Sequence, residues 1–289
     1  METRQISWTT NGHRVDIGIS EAGDGPLVLC LPALSSISTR TEMLPLIERL
    51  RDRFRLVTVD WPGFGALPKP RVDWTPDQLS AFLDWVLKEI APNPHAIIAS
   101  GHGAAYALHH FAIEKSHQPK LVLVAPTWRG PFPTMMGGTR PWFGRVRAAV
   151  DAPVIGSALY ALNLSGPVLN KMVRGHVYSD ADFLSGPRKA QKEAVTKASG
   201  ARHASVRFVT GGLDRLSSRD EFLRLVEQAP KPLLLVYSEQ TPPKSRAEMD
   251  AASGIAGVET LRLTRGKLSI HEEFVERIAP DIATFIQTP

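Results

Sequence analysis

The sequence predicts an α/β fold with one mainly parallel sheet and helices on both of its faces. Short apolar runs recur along the 289-residue chain, separated by longer stretches with helical periodicity. Such runs are typical of strands buried on both faces, and strands that alternate with helices favour parallel pairing. With 43% hydrophobic residues, the chain can bury one large core and an inserted segment.

The first elements are predicted to be a hairpin and a central strand. Residues 5–9 and 14–19 alternate apolar and polar side chains around an Asn-Gly pair, which is typical of a tight hairpin turn. Residues 26–31 form an apolar run, which predicts a buried strand. Because the single cysteine, Cys30, lies in that run, we expect no disulfide and an inert buried thiol.

The later elements alternate between strand and helix. Further strands are predicted at residues 55–60, 95–100, 120–126, 231–237 and 257–264. A helix is expected at residues 104–114, and Ser218 with Glu221 resembles a capping box that begins the helix before the seventh strand. These five strands and the three before them predict a sheet of eight strands.

The turn at residues 99–103, which reads ASGHG, is the most informative local feature. A strained strand-to-helix turn needs small residues two before and two after its central residue. Centring it on Gly101 satisfies this requirement, whereas centring it on Ser100 places Ile98 and His102 at those positions. A Gly-x-Gly sequence is also typical of an ordinary turn, so the rest of the chain must support the assignment.

Several motifs resemble those of the α/β-hydrolase family. Residues 60–65, DWPGFG, resemble the Asp-x-x-Gly-x-Gly sequence after the fourth strand, and residues 99–103 resemble the elbow that carries the nucleophile. The resemblance covers nearly the whole chain. It implies an α/β-hydrolase fold with its core at residues 1–126 and 205–289 and a helical cap inserted at residues 127–204.

The resemblance also implies that three catalytic positions have changed. The nucleophile's position falls on Gly101, that of the acid after the seventh strand on Thr241, and that of the histidine after the eighth strand on Lys267. Without these side chains, the usual covalent route of a Ser-Asp-His triad is lost. Asp214 is a candidate for a relocated acid, although an aspartate after Gly-Gly-Leu is also typical of an ordinary turn.

An oxyanion hole does not depend on the missing serine. The resemblance places its donors at the backbone N–H groups of Leu34 and His102. Lys267 could serve as a base or imine-forming amine in an apolar pocket, or pair structurally with Glu239 or Glu272. His102 could act as an acid or base, or only cap the elbow.

Other candidate ligand-binding side chains lie on loops after strands, where open α/β sheets bind their ligands. The candidates are Leu34, Ser35, Ser36, Tyr106 and Trp128, with Thr39, Arg40 and Arg129 on the same loops. Residues 152–170 contain no charge, which predicts a helix buried on most sides that roofs a pocket for a small hydrophobic ligand. Packing alone and membrane contact are the alternatives.

Composition argues against several classes of partner. The formal net charge is +5, but the basic residues are scattered and the densest group, at residues 49–55, includes Asp52, so we expect no nucleic-acid binding. No residue spacing predicts a metal or a cofactor. The beginning of the chain lacks a signal-peptide pattern and no run reaches about 18 apolar residues, so we expect a cytoplasmic protein without a spanning segment.

Three functions remain open. The first is non-hydrolytic acid-base chemistry of the lyase, isomerase or cyclase type, in which His102 and Lys267 act on a small apolar carbonyl- or carboxylate-containing molecule. The second is a ligand-binding or sensor protein without catalysis. The third is an esterase-like hydrolase that uses Ser100, although conventional serine hydrolase activity is not expected.

Overall fold

A computed structural model describes residues 1–163, 170–180 and 182–288. In this part of the chain, eight strands form one sheet in the order β1-β2-β4-β3-β5-β6-β7-β8. The pairs β1–β2 and β2–β4 are antiparallel, and the other neighbours are parallel. The strands are β1 (Glu2–Thr10), β2 (His13–Ala22), β3 (Leu27–Leu31), β4 (Arg55–Val59), β5 (Ala96–Ser100), β6 (Lys120–Val124), β7 (Leu233–Ser238) and β8 (Val258–Leu263). The predicted mostly parallel, eight-stranded sheet is confirmed.

Helices cover both faces of this sheet. They are α1 (Leu44–Leu50), α2 (Pro76–Trp85), α3 (Gly103–Ile113), α4 (Pro131–Met136), α5 (Phe143–Asp151), α6 (Ile155–Asn163), α7 (Gly186–Lys197), α8 (Ala201–Val209), α9 (Arg219–Gln228), α10 (Pro243–Ser253), α11 (Ile270–Glu273) and α12 (Val275–Gln287). Side chains of α2, α3 and α9 contribute to the apolar core on one face, and those of α1 and α12 to the core on the other. In α12, Ile278, Ile282 and Ile286 recur at a spacing of four and are fully buried, so one face of the helix lies against the sheet.

The predicted hairpin and central strand are also present. Asn11 and Gly12 both have positive φ, as a two-residue turn with the twist of its flanking strands requires. Cys30 lies in β3 and is fully buried, and burial raises the pKa of its thiol because the thiolate is disfavoured in apolar surroundings.

The 127–204 segment lies between β6 and β7 and contains α4 to α7 and the beginning of α8. Because α8 continues to Val209, the predicted boundary at residue 204 falls within a helix. No helix among the described residues is long and apolar enough to cross a membrane.

The uncharged stretch at residues 152–170 differs from its prediction. Residues 164–169 lie outside the described residues, but α6 exposes large apolar side chains: Ile155 is 65% and Leu162 is 69% exposed. The expectation that this helix is buried on most sides is therefore wrong. A Cβ added at Gly156 would lie 2.0 Å from the carbonyl oxygen of Val150, so α6 packs closely against the end of α5 with its other side.

Candidate functional site

The elbow between β5 and α3 is centred on Gly101. This residue has φ +50°, a conformation that glycine adopts at little cost. A Cβ added at Gly101 would lie 2.9 Å from the Cβ of Ala33, and one added at Gly103 would lie 2.7 Å from the carbonyl oxygen of Pro32. The β3–α1 loop therefore packs against the elbow where a nucleophilic side chain would begin.

His102 lies at the N-terminus of α3 and is held from both ring nitrogens. Its Nδ1 lies 2.8 Å from Thr127 Oγ1, and its Nε2 lies 3.0 Å from Asp214 Oδ1. Asp214 Oδ1 also accepts the backbone N–H of Gly130 at 2.8 Å. An ionised carboxylate only accepts, so these contacts assign the proton of a neutral imidazole to Nε2 and leave Nδ1 to accept from the Thr127 hydroxyl.

This row of hydroxyl, imidazole and carboxylate has the connectivity of an activated nucleophile. His102 is only 2% exposed and contacts Phe208 edge to face, whereas Thr127 is half-buried. The hydroxyl oxygen of Thr127 lies 3.8 Å from the point where a Cβ on Gly101 would be, so the hydroxyl adjoins the elbow. Thr127 also borders a cavity of about 10 Å³, which is close to the space of one water molecule.

The sequence predicts His102 and Asp214 as separate candidates, and the structure brings them together. Thr127 is not among the candidates predicted from the sequence. Thr127 could have been identified from its position in the fold. It follows β6, which is parallel to β5 and next to it in the sheet, so both strands end at the edge where the elbow lies.

Lys267 contacts the backbone of the 127–204 segment. Its Nζ donates to the backbone carbonyl of Arg174 in the 127–204 segment. In the described part of the chain, Lys267 forms no ion pair with Glu239 or Glu272: Glu239 lies 3.8 Å from Arg262, and Glu272 pairs with Lys192. The structural ion pair considered for Lys267 is therefore not found.

Thr241 and Ser100 are both buried. The Thr241 hydroxyl accepts the backbone N–H of Ser238 at 3.3 Å, which closes the turn after β7. The Ser100 hydroxyl donates to the carbonyl oxygen of Leu31 at 3.4 Å and lies near the sulfur of Met43. Ser100 therefore faces the protein interior, a poor position for a nucleophile.

The candidate ligand-binding residues are largely engaged with other protein groups. The hydroxyls of Ser35 and Ser36 contact those of Ser38 (2.8 Å) and Ser205 (2.5 Å), and the Tyr106 hydroxyl donates to the carbonyl of Leu213 at 2.8 Å. The Trp128 ring lies 4.7 Å from the guanidinium of Arg129. Leu34, Ser36, Tyr106 and Trp128 are buried, so protein atoms fill much of the predicted ligand site.

A second buried polar group, the Glu42 cluster, consists of Glu42, Tyr178, Lys192, His271 and Glu272. Lys192 Nζ lies 3.1 Å from Glu272 Oε1 and 3.6 Å from Glu42 Oε2, and the Tyr178 hydroxyl donates to Glu272 Oε1 at 2.7 Å. His271 Nε2 lies 3.7 Å from Glu42 Oε1. The cluster joins the 127–204 segment to α11 and to the single helical turn Arg40–Met43 after β3.

Glu42 connects this cluster to the elbow, because its Oε1 accepts the backbone N–H of Ala33 at 2.5 Å. Burial alone would raise the pKa of Glu42, but His271, Lys192 and the Ala33 N–H outweigh it, so the pKa lies below its ordinary value. Burial likewise opposes the charge of Lys192, and Glu272 with Glu42 raises the pKa of Lys192 above its ordinary value. Both groups are therefore charged at neutral pH.

The same cluster contains the potential metal ligands of the described residues. Glu42, His271 and Glu272 each offer a ligand atom, and these atoms lie within 4.8 Å of one another. The ammonium group of Lys192 lies between the two carboxylates, so a side-chain cation already supplies the positive charge that a metal would bring.

Comparisons with known proteins agree with the fold. Residues 28–277 match the model of the alpha/beta hydrolase family. A thermophilic esterase from Thermogutta terrifontis has a similar structure (TM-score 0.72, 19% identity, all of both chains covered), as does the enol-lactonase from Burkholderia xenovorans (TM-score 0.70, 14% identity, 98% of this chain and 100% of that chain).

One curated relative matches over a shorter stretch. It is the 2-(acetamidomethylene)succinate hydrolase of Mesorhizobium japonicum, which is 35% identical over 95 residues, or 31% of this chain and 33% of that protein. The match thus spans a third of the relative's length. Because the family model covers most of the sequence and the sheet order and elbow fit that fold, the chain belongs to the alpha/beta hydrolase family.

Proposed function

We propose that the chain is an enzyme that hydrolyses a small carbonyl compound without a Ser-Asp-His triad. In this proposal, His102 is the base, Asp214 orients it, and the Thr127 hydroxyl is the nucleophile beside Gly101. The observation that carries the proposal is the pair of contacts from one imidazole to a hydroxyl and a carboxylate. The names of the relatives, which include a hydrolase, an esterase and a lactonase, support hydrolysis as the reaction class.

The reaction follows from these contacts. His102 Nδ1 takes the hydroxyl proton of Thr127 as Oγ1 attacks the carbonyl carbon, and the resulting imidazolium then protonates the leaving group. His102 Nδ1 then deprotonates a water molecule, which attacks the acyl carbon. The bond from that carbon to Oγ1 breaks, the imidazolium returns the proton to Oγ1, and the acid is released. Backbone N–H groups of Leu34 and His102 are the proposed donors to the oxyanion.

The proposal replaces the non-hydrolytic chemistry considered from the sequence because Lys267 contacts the carbonyl of Arg174. No contact among the described residues joins Lys267 to His102. The expected small apolar carbonyl- or carboxylate-containing molecule is now narrowed to an ester, thioester or lactone, and apolar and aromatic side chains such as Leu34, Trp128 and Phe208 surround the elbow.

A ligand-binding protein without turnover is the second candidate. It is favoured by the burial of His102 and by the small volume, about 10 Å³, of the cavity beside Thr127. Both functions require the filled site to open, but a sensor needs only slow exchange of its ligand, whereas turnover needs repeated entry of substrate and release of product.

The test is hydrolysis of a panel of short-chain p-nitrophenyl esters, thioesters and lactones. Thr127→Val and His102→Ala should lower kcat/KM by about 10² or more, Asp214→Asn should lower it as well, and Thr127→Ser should keep activity. Ser100→Ala and Lys267→Met serve as controls and should leave kcat/KM unchanged. Mass spectrometry of protein quenched during turnover should find the acyl group on Thr127.

Other outcomes would contradict the proposal. Ligand binding without turnover of any substrate would favour the sensor. Loss of turnover in Lys267→Met with full activity in Thr127→Val would return the chemistry to Lys267 and a non-hydrolytic reaction. Loss in Ser100→Ala alone would favour the esterase that uses Ser100.

A further inference from the structure

The exposed side of α6 is an apolar surface on the 127–204 segment. Val154, Ile155, Leu159 and Leu162 are 83%, 65%, 42% and 69% exposed. The last three follow a spacing of four and three residues, so they share one face of the helix. Scattered apolar side chains are normal on a protein surface, but large ones grouped on one helical face mark an interaction site.

The net charge of the protein is concentrated in the same segment. Residues 127–204 contain eleven Lys and Arg and four Asp and Glu, a formal net charge of +7. The remaining residues contain 23 basic and 25 acidic side chains, a formal net charge of −2. The positive charge of the chain is thus a property of the segment that carries the apolar face, which favours a negatively charged partner.

A groove of about 530 Å³ runs beside this face. Ser157, Tyr160 and Ala161 of α6 form one wall, and Lys189, Lys197 and Arg202 lie among the residues lining the rest. Lys197 pairs with Glu193 at 2.8 Å, whereas Lys189 forms no ion pair with any described residue. The groove therefore places basic side chains directly next to exposed apolar ones.

We propose that the 127–204 segment docks on an anionic lipid bilayer. The apolar face of α6 enters the boundary between headgroups and acyl chains, and the basic groove takes the acidic headgroups. An apolar helical face flanked by Lys and Arg has the chemistry of an interfacial helix, since acyl chains match the one and anionic lipids the other. A soluble anion would account for the groove but not for the exposed leucine and isoleucine side chains.

The experiment is co-sedimentation of the full chain with vesicles of phosphatidylcholine alone or with about 30% phosphatidylglycerol. We expect binding to the anionic vesicles only, weakened at least tenfold between about 0.1 and 0.5 M salt because the attraction is screened. Ile155→Gln combined with Leu162→Gln should weaken binding about tenfold or more, as should Lys189→Gln combined with Arg202→Gln.

Matched controls lie outside the segment. Ile113 is 71% exposed at the end of α3, and Lys88 is exposed after α2, so Ile113→Gln with Lys88→Gln should leave vesicle binding unchanged. Circular dichroism and thermal unfolding of each variant confirm that it is folded. Ile155, Leu162, Ile113 and Lys88 are exposed, so little loss of stability is expected from their substitution. Lys189 and Arg202 are half-buried, and Arg202 donates to the hydroxyl of Ser157 in α6, so vesicle binding of that variant is compared at a temperature where it is fully folded.

Three results would overturn the proposal. One is equal binding to neutral and anionic vesicles, or none to either. Another is saturable binding of inorganic phosphate in the groove with no vesicle binding. The third is a dimer in solution that the α6 variant converts to a monomer, which would assign this face to a second copy of the chain.

Discussion

The methyl group of Ala33 occupies the space that a side chain at residue 101 would need. Its Cβ lies 2.9 Å from the ideal Cβ position on Gly101, closer than carbon atoms pack. The backbone N–H of Ala33 is fixed in turn by Glu42. The loop after β3 is therefore held against the elbow, and the two residues fit each other.

This fit predicts the effect of a serine at residue 101. Gly101→Ser should lower the free energy of unfolding by roughly 1–3 kcal/mol, since the side chain meets both a positive φ and the Ala33 methyl group. Gly12→Ser is the matched control: it also has a positive φ, but its added Cβ has no atom within 4 Å. Urea unfolding should show a smaller loss for Gly12→Ser.

Combining Gly101→Ser with Ala33→Gly should recover part of the loss, because the double variant removes the contact. A double-mutant cycle measures this coupling. Equal losses for the serines at residues 12 and 101, with no coupling to Ala33, would mean that the elbow has room for a side chain.

For single residues, the sequence predicted where the elbow and the candidate side chains lie, but not which of these side chains contact each other. The small residues on either side of Gly101 located the elbow, and His102 and Asp214 were each identified as candidates. Their contact, and the hydroxyl of Thr127, depend on three loops meeting at the ends of β5, β6 and the segment before β7. No local pattern encodes a meeting of residues 25 and 112 positions apart.

Among the elements, α7 and α11 are joined through buried charges. Within the Glu42 cluster, Lys192 on α7 lies 3.1 Å from Glu272 on α11 and 3.6 Å from Glu42. A buried ion that loses its partner is costly, so this junction depends on each of its charges.

Lys192→Met should therefore lower the free energy of unfolding by roughly 3–5 kcal/mol, since it leaves two buried carboxylates without their cation. Lys197→Met is the matched control on the same helix and should change stability little, because its pair with Glu193 is exposed to solvent. Thermal and urea unfolding at neutral pH measure both. Similar small losses for the two variants would show that the Glu42 cluster does not hold the helices together.

The elements differ in how well their sequences predict them. The strands were predicted because runs such as residues 121–126, which follow Lys120, are apolar and too short for helices. The exposure of α6 was not predicted, because an uncharged sequence does not show whether another part of the protein covers the outer face of the helix. The spacing of apolar residues can predict a helix, but whether its apolar side chains are covered depends on the rest of the fold.

For the molecule as a whole, several buried groups set the response to acid. Burial raises the pKa of Asp151, but hydrogen bonds from Arg207 and His203 lower it by more than burial raises it. The pKa of Asp151 therefore lies below its ordinary value, as does that of Glu42. Burial also lowers the pKa of His203, in part offset by Asp151. For each group, the unfolded chain binds a proton more readily than the folded protein does.

Stability should therefore fall as the pH is lowered from about 6.5, where His203 of the unfolded chain begins to take a proton, and fall further below about 4.5 as Glu42 and Asp151 are protonated. Urea unfolding at several pH values between about 3 and 7 measures this change. His203→Gln should reduce the slope between about pH 5 and 6.5, where burial also lowers the pKa of His109 and His176, and leave the more acidic part. A constant free energy of unfolding over the whole range would contradict the assignment.

The burial of Cys30 has a practical consequence for experiments on the intact chain. It is the single cysteine of the sequence, its side chain is fully enclosed in β3, and the raised pKa of its thiol leaves little reactive thiolate. A maleimide dye should therefore leave the folded protein unlabelled and react only with a cysteine introduced on purpose. One fluorophore at a chosen surface residue can then report on that place alone, with the native cysteine left where it is.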